Sequence, residues 1–560
     1  MNSMTGAELT IRLLERQGIS TIAGIPGGAN LPLYDALYSS DKIRHVLARH
    51  EQGAGFIAQG MARVTGEPQV CFATSGPGAT NVLTAIADAK LDSIPVICIT
   101  GQVPSGMIGS DAFQEVDTYG LSIPITKHNF LIRSVEELLE AIPAAFSIAT
   151  SGRPGPVLID IPKDIQNQKI SFEQWPAPGQ TEAPETAKHA DLELAAEMIN
   201  QSKRPILYLG GGTIMSNASD KARDLMIKSS LPTTMTLMAL GAIPADHELS
   251  LGMLGMHAAP YTNLALEACD LLIAVGARFD DRATGKVSAF CPKAKIIHID
   301  IDPSELGKIK QAHIGITGDV QATLEQLLPM ISTNSRDNWI GEIKQLKKIH
   351  PFIAPGRDRA NSAYGSIQKI ADIVGDNAIV ATDVGQHQMR TAQLYPLRKP
   401  RRWLTSGGLG TMGFGLPAAI GAALAEPDNT VICITGDGSL MMNIQELATA
   451  VEQQANIKIF LMNNNALGLV HQQQTLFYGQ RTFASDYEAQ MDFMTIAKGF
   501  GISTYDLGSS ENHADLIKTA LDLNGPALIH VPIDVNEQVL PMVPPGAPNS
   551  EMIGGASNAA

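Results

Sequence analysis

The sequence predicts an α/β protein made of three doubly wound, mostly parallel sheets. Three observations carry that expectation. Short runs rich in Val, Ile and Ala alternate with helix-period segments along most of the 560 residues, the pattern of βαβ units. These apolar runs repeatedly end on glycine or acidic turns, the place where open parallel sheets hold their ligands. A Pro/Glu/Thr-rich segment near 165–190 then reads as a linker. It helps divide the chain into blocks over 1–165, 190–345 and 360–545, near the roughly 150 residues expected of a domain. A Pro/Gly/Ser/Asn tail over 546–560 is expected to be mobile.

The first block opens with a helix over 5–17, capped by Thr5 with Glu8 three residues on. A strand over 19–23 runs into Gly24-Ile25-Pro26-Gly27-Gly28, and a strand over 43–48 ends at Arg49-His50-Glu51. A small-residue helix follows over 52–64. The strand over 69–74 meets Ser75-Gly76-Pro77-Gly78, a turn that opens another helix, and a strand over 95–101 comes next.

In the second block a strand over 206–209 meets Gly210-Gly211-Gly212. A strand over 271–275 meets Gly276-Ala277-Arg278, and a third over 295–299 ends at Asp300. A glycine turn followed about 20 residues later by an acid at a strand end is the layout that holds an adenosine ribose. No GxGxxG accompanies it. The one GxGxxG in the chain, Gly408 to Gly413, has no acid at a following strand end, so no nicotinamide site is expected there. The three blocks share an architecture without a readable repeat.

The third block contains the stretch with the clearest chemistry, 431–471. A strand ends at Gly436-Asp437-Gly438-Ser439, an amphipathic helix runs through Gln445 and Leu447, and a second strand over 457–462 ends at Asn463-Asn464-Asn465. Asp437 and Asn464 therefore fall at carboxyl ends of strands. A carboxylate beside an amide oxygen suits a hard cation such as Mg2+ holding a diphosphate.

Bulk properties exclude several classes. With 44% hydrophobic and 17% charged residues the chain is globular. A net charge of −15 and no basic run argue against a nucleic-acid surface. The uncharged stretch 403–425 is long enough to span a bilayer, but six glycines and Pro417 make it a buried strand, turn and helix, so no membrane partner is expected. The five cysteines are scattered without a CxxC, as suits a reducing cytoplasm, and the chain enters its first helix almost at once, with no leader expected.

The pattern GDG followed some two dozen residues later by NN resembles that of thiamine diphosphate enzymes. Set beside RHEQGA at 49–54, GIPGG at 24–28, SGPGATN at 75–81, DAFQEVD at 111–117, ITKHNF at 125–130 and SGRPGPV at 151–157, the chain resembles the acetohydroxyacid synthase (acetolactate synthase) catalytic subunits. GARFDDR at 276–282, DVGQHQM at 383–389 and SGGLGTMGFGLPAAIGA at 406–422 extend the likeness over nearly the whole length. RFDDR resembles the flavin-binding synthases in particular.

The resemblance implies three thiamine-enzyme domains: an N-terminal pyrimidine-binding domain, a central FAD domain and a C-terminal diphosphate/Mg2+ domain. It implies that pyruvate is decarboxylated on thiamine diphosphate and its hydroxyethyl group ligated to a second pyruvate or to 2-oxobutyrate, the first common step of branched-chain amino acid synthesis. Glu51 would hydrogen-bond the pyrimidine and so activate the thiazolium carbon, help worth roughly 10²–10⁴-fold. A carboxylate here weighs against glyoxylate carboligase, which lacks one.

By the same resemblance Gly385, Gln386, His387, Gly438 and Ser439 contact the diphosphate. Asp437, Asn464 and the carbonyl of Ala466 ligate Mg2+, the carbonyl of Gly410 holds the aminopyrimidine, and Met412 and Met442 pack the cofactor. Gly28, Gln114 and Lys127 line the catalytic region, and Arg282 meets the second oxo acid. FAD, with no electrons to carry in a redox-neutral ligation, would be structural. Its contacts would be Arg153, Gly211, Gly212, Thr236, Leu237, Met238, Met256, His257, Gly276, Arg278, Asp280, Arg282, Asp300, Ile301, Asp319 and Val320.

Four positions depart from the family pattern. Gln472 stands where many members carry a tryptophan lining the second-substrate pocket, Asn465 replaces a frequent glutamate, Ala258 a glycine and Arg390 an aromatic. One methylene of discrimination is worth only ~1–3 kcal/mol, so losing the indole predicts weak preference for 2-oxobutyrate and reduced sulfonylurea sensitivity. The family further implies a homodimer or tetramer and a small ACT-type regulatory subunit. A pyruvate oxidase-like flavoenzyme and a non-catalytic nucleotide-binding homologue are the alternatives.

Overall fold

A computed structural model describes residues 2–554. It contains three six-stranded sheets, every neighbouring pair parallel, and one two-stranded antiparallel ribbon. Several of their inner strands are buried along their whole length, as in Val96–Gln102, Leu271–Val275 and Ile457–Asn463. Helices cover both faces of such sheets, so these strands read as continuous apolar runs rather than alternating ones.

The first sheet has the order Arg44–Leu47, Thr21–Gly24, Gln69–Ala73, Val96–Gln102, Val157–Pro162, His128–Leu131. The third has Trp403–Leu404, Ile379–Thr382, Val431–Gly436, Ile457–Asn463, Ala527–Pro532, Ser503–Asp506. Counted within each block, both are 2-1-3-4-6-5. The middle sheet is different: Ser250–Met253, Thr233–Met235, Pro205–Leu209, Leu271–Val275, Lys295–Asp300, Ile314–Thr317, the order 3-2-1-4-5-6 of dinucleotide-binding sheets. The shared doubly wound architecture expected for all three blocks is present, in two strand orders, since strand order depends on crossovers that local sequence patterns do not reveal.

Helix Glu51–Thr65 is the chief contact between the first and third blocks. It packs along helix Gly415–Ala425 so closely that a Cβ on Gly60 would lie 2.1 Å from the Ala418 carbonyl oxygen. Phe56 and Phe414 meet edge to face at 5.3 Å inside one buried cluster shared by the two blocks. Burying side chains of this size contributes about 1.5–3 kcal/mol each.

Three local expectations change. The helix expected through Gln445 breaks into Asp437–Met442 and Glu446–Glu452, because Asn443 between them turns out of helical geometry and donates to Gly413 O at 2.6 Å. The segment near 165–190 is not linker throughout, since Lys169–Phe172 pairs antiparallel with Asn2–Thr5. The tail is not free over 546–554. Ala547 O accepts Lys286 N, Asn549 is buried and donates to Ala283 O, and Ile553 pairs with Met542. These contacts satisfy polar groups on both sides, which holds the segment against the middle block. Residues 555–560 of the expected tail lie outside the described residues. No helix among the described residues is long and apolar enough to cross a membrane; 403–425 forms strand Trp403–Leu404 and helix Gly415–Ala425.

Candidate active site

In a doubly wound sheet the ligand crevice opens where neighbouring strands send their chains to opposite sides. In the third sheet that point lies between Ile379–Thr382 and Val431–Gly436. A crevice of about 530 Å³, its open mouth included, sits at their carboxyl ends. Gly385, Gln386, His387, Met412, Asp437, Gly438, Ser439, Asn464 and Ala466 all line it.

Asp383 builds the floor. Fully buried, it accepts the amides of Val384, Gly413 and Gly415 at 2.8–3.1 Å, tying three turns together. Burial pushes its carboxyl up to about 6, with those amides pulling it down. Gly385 has φ +151, a backbone conformation that side chains rarely adopt, and Ser439 Oγ donates to Val384 O at 2.9 Å.

Among the buried polar atoms in the wall, Gln386 Oε1 and His387 Nε2 have no partner within the protein. Unpaired buried polar groups are costly, so both fit a polar ligand entering the crevice. Burial, reinforced by the Arg390 charge, lowers His387 to about 3, so its ring is neutral. Asp437 Oδ2 and Asn464 Oδ1 both accept Ala466 N, at 3.1 and 3.2 Å, so the two side-chain oxygens converge on one point. Burial raises Asp437 to about 6. Among the described residues no three His, Cys, Asp or Glu side chains gather as a metal site. A cation here therefore needs oxygens from a ligand as well, the habit of Mg2+ with phosphates.

Every residue lining the crevice lies between Val384 and Ile533. Glu51 is elsewhere, at the switch point of the first sheet. It is buried at the start of helix Glu51–Thr65, with Oε2 accepting Asn81 Nδ2 at 3.0 Å. A Cβ on Gly78 would stand 3.2 Å from Glu51 Oε1, and one on Gly76 would strike Gln114, which has φ +60. Glu51 and Gln114 thus flank the same turn, and Gly28 lies open at the neighbouring strand end.

Several expected residues sit differently. Lys127 turns its ammonium onto the carbonyls of Ile148 and Ser151, at the end of helix Leu138–Thr150, and burial lowers it to about 8. Those carbonyls lack helical partners and draw the cation, so the Lys127 charge is engaged at this helix end. Met442 is half exposed outside the crevice, because the helix that carries it stops there. Gly410 has φ +70 and open space around it. The Arg282 side chain is 65% exposed beside Asp281.

Gln472 does not line the crevice. Wholly buried, it accepts Gln386 Nε2 and Val539 N at 2.9 and 2.8 Å and donates to Val539 O at 3.0 Å. An amide can satisfy both backbone groups of Val539, which an indole cannot, so this side chain pins the C-terminal segment. Arg390 does line the crevice. It is buried, with Nη2 on Glu537 O, its charge 5.7 Å from the Tyr364 ring centroid, and Nε unpaired.

The middle sheet switches between Pro205–Leu209 and Leu271–Val275. Gly210, Gly212 and Gly276 interlock there, a Cβ on Gly276 falling 2.7 Å from Gly212 Cα. Around these turns lie Gly211, Leu237 and Met238, a Thr236 hydroxyl buried without a partner, and Asp300, raised to about 6 by burial. Arg153 reaches across from the first block to Glu305 at 2.8 Å. Asp280 and Asp319 cap the starts of short helices, and Val320 is in the core. Met256 and His257 bond to Val543 and Pro541 of the C-terminal segment. Arg278 and Ile301 follow the strand ends.

Comparison with known proteins agrees with this architecture. The chain matches three family models: the N-terminal TPP binding domain of thiamine pyrophosphate enzymes over residues 4–121, the central domain over 192–327, and the C-terminal TPP binding domain over 383–531. It is 60% identical to the acetolactate synthase isozyme 1 large subunit of Escherichia coli (strain K12), with 98% of each chain covered. It is 48% identical to isozyme 2 of the same organism, covering 98% of this chain and 99% of that one. A probable acetolactate synthase large subunit of Methanocaldococcus jannaschii is 46% identical, covering 97% and 94%. On the site, the three domains and this whole-length identity, the chain belongs to the acetolactate synthase large-subunit family of thiamine pyrophosphate enzymes.

Proposed function

We propose that the protein is an acetolactate synthase, condensing two pyruvates to 2-acetolactate, or pyruvate with 2-oxobutyrate to 2-aceto-2-hydroxybutyrate, with loss of one CO2 from pyruvate in either case. The observation that carries this reading is the crevice in which the Asp437 and Asn464 oxygens converge beside the unpaired Gln386 Oε1 and His387 Nε2. That donor set fits a diphosphate with Mg2+. Bound thiamine diphosphate supplies a carbon nucleophile at its thiazolium ring and a sink for the electrons released with CO2. The chain's own residues do the rest. Gly385, Gln386, His387, Gly438 and Ser439 hold the diphosphate end, and Asp437, Asn464 and the Ala466 carbonyl hold the metal. Glu51, kept from water by burial, holds or yields the proton that the pyrimidine ring exchanges.

Glu51 and this crevice occupy different switch points of one chain, so the complete site takes Glu51 from a second copy in a homodimer or tetramer. Exposed apolar side chains beside both half-sites support this: Met107, Ile108 and Phe113 before Gln114, and Met441, Met442, Phe483 and Tyr487 around the crevice. The Gly210/Gly276 crevice would take FAD structurally, with the Thr236 hydroxyl and Asp300 as polar contacts. A small ACT-type regulatory subunit completes the reading, which the large-subunit names of the relatives support.

The test is direct. Purified protein supplied with pyruvate, thiamine diphosphate, Mg2+ and FAD should form acetolactate without consuming oxygen. Acetate or acetyl phosphate with steady oxygen uptake would refute the reading, and no turnover with a full cofactor complement would point to a non-catalytic homologue.

A further inference from the structure

The amides at the start of a helix have no partners within it and are met from outside. Just before helix Glu51–Thr65, the amides of Arg49 and His50 both donate to one oxygen of Glu446, each at 3.0 Å. Glu446 comes from the third block, as the first residue of helix Glu446–Glu452, and is fully buried. Its other oxygen accepts Thr449 Oγ1 at 2.7 Å. The approach is close because residue 53 is glycine: a Cβ there would stand 2.4 Å from Glu446 Oε1. Glycine weakens a helix relative to alanine, so its place two residues after Glu51 marks a contact that outweighs that loss. At the far end of the same helix, Arg63 donates to Thr405 O at 3.0 Å, again in the third block.

We propose that Glu446 is a positioning residue for Glu51. By fixing the two peptide groups that precede the helix, it sets the direction in which the Glu51 carboxylate leaves the chain. Asn81 is the neighbour that then holds that carboxylate, so a turn of the peptide at residue 50 would move it off the cofactor. The inference rests on reading Glu51 as the group that activates thiamine diphosphate.

The experiment compares E446A, E446Q, G53A and E51Q with the unaltered enzyme. Three quantities are read: hydrogen–deuterium exchange at the thiazolium carbon of bound thiamine diphosphate without pyruvate, the dissociation constant of thiamine diphosphate, and amide exchange across residues 47–56 of the cofactor-free protein. E446A should slow thiazolium exchange and kcat by about 10–100-fold, the scale of a misplaced catalytic group. Its cofactor affinity and KM should stay within a few-fold, while amide protection at 49–50 is lost. E446Q keeps a carbonyl oxygen for both amides and should stay near the unaltered enzyme. G53A, despite favouring the helix, should behave as E446A.

Thiazolium exchange at the unaltered rate in E446A or G53A would overturn the proposal, as would E446Q as slow as E446A. If E446A does not fold, G53A and E446Q decide. Normal exchange in E51Q would instead overturn the reading of Glu51, and slow exchange in E51Q beside normal exchange in E446A would sink the Glu446 proposal alone.

Discussion

Replacing Arg63 with methionine tests how the first block holds the cofactor loop. Arg63 is 6% exposed and donates to Asp92 Oδ2 at 2.8 Å, Gln59 Oε1 at 2.8 Å, Thr405 O at 3.0 Å and Asp88 Oδ1 at 3.3 Å. The two carboxylates in turn hold the loop that contains Gly410 and Met412. Asp92 accepts Gly407 N and Gly408 N at 3.0 and 2.7 Å, and Asp88 accepts the hydroxyls of Ser406 and Thr411. Removing one member of a buried ionic cluster costs about 3–5 kcal/mol, because the remaining charges lose their partner.

The loss should depend on pH. Burial, then the neighbouring Asp92, lifts the Asp88 carboxyl from its ordinary 3.8 to about 6, with Arg63 and the two hydroxyls pulling back. A folded-state pKa above the unfolded one gives stability that is present at low pH and lost as pH rises through about 6. Without Arg63 the Asp88 carboxyl loses the charge that offsets its ionisation, so R63M should lose more stability at about pH 8 than at about pH 5.5. Denaturant unfolding of both proteins at the two pH values measures this, and a thiamine diphosphate titration should show weaker binding as the loop loosens. A loss under about 1 kcal/mol, equal at both pH values, would refute the reasoning.

D437N should weaken thiamine diphosphate binding in the presence of Mg2+ far more than in its absence, because it removes the anionic ligand; equal weakening, read by fluorescence titration, would count against a metal there. G276V places a branched side chain where even a Cβ lies 2.7 Å from Gly212 Cα, and the purified variant should lack the visible flavin absorbance that the proposed FAD site predicts for the unaltered protein. Competition between pyruvate and 2-oxobutyrate should give product ratios close to the substrate ratio, since Gln472 offers no apolar wall; a strong excess of the 2-oxobutyrate product would contradict that.

Much of the fold was legible because glycine and acidic residues mark strand ends, and in a parallel sheet those ends are where ligands sit. Asp437 and Asn464 were readable in this way, and their oxygens converge. Other features depend on distant partners. Glu446 begins a helix, where a glutamate is normally solvated, and only Gly53, a glycine inside another helix, hints that something approaches closely. Gln472 was expected at a pocket wall by resemblance alone, and nothing local showed that its amide would bond both backbone groups of Val539. Lys127 was placed in the catalytic region by its motif, and nothing local showed that the carbonyls of Ile148 and Ser151 would receive its ammonium. Nothing local announced that the middle sheet would be wound 3-2-1-4-5-6 beside two neighbours wound 2-1-3-4-6-5.

Complementation between two inactive chains tests the central claim most directly. On the proposed reading E51Q lacks the base and D437N lacks the metal ligand, so each homo-oligomer should make little acetolactate. If the site takes Glu51 from one copy and the diphosphate crevice from another, half the chain pairs in a co-expressed mixture combine both variants, and each has one intact site. Activity should then recover to about a quarter of the unaltered enzyme. A mixture as inactive as its parents, despite mixed oligomers isolated by two affinity tags, would contradict a site shared between copies.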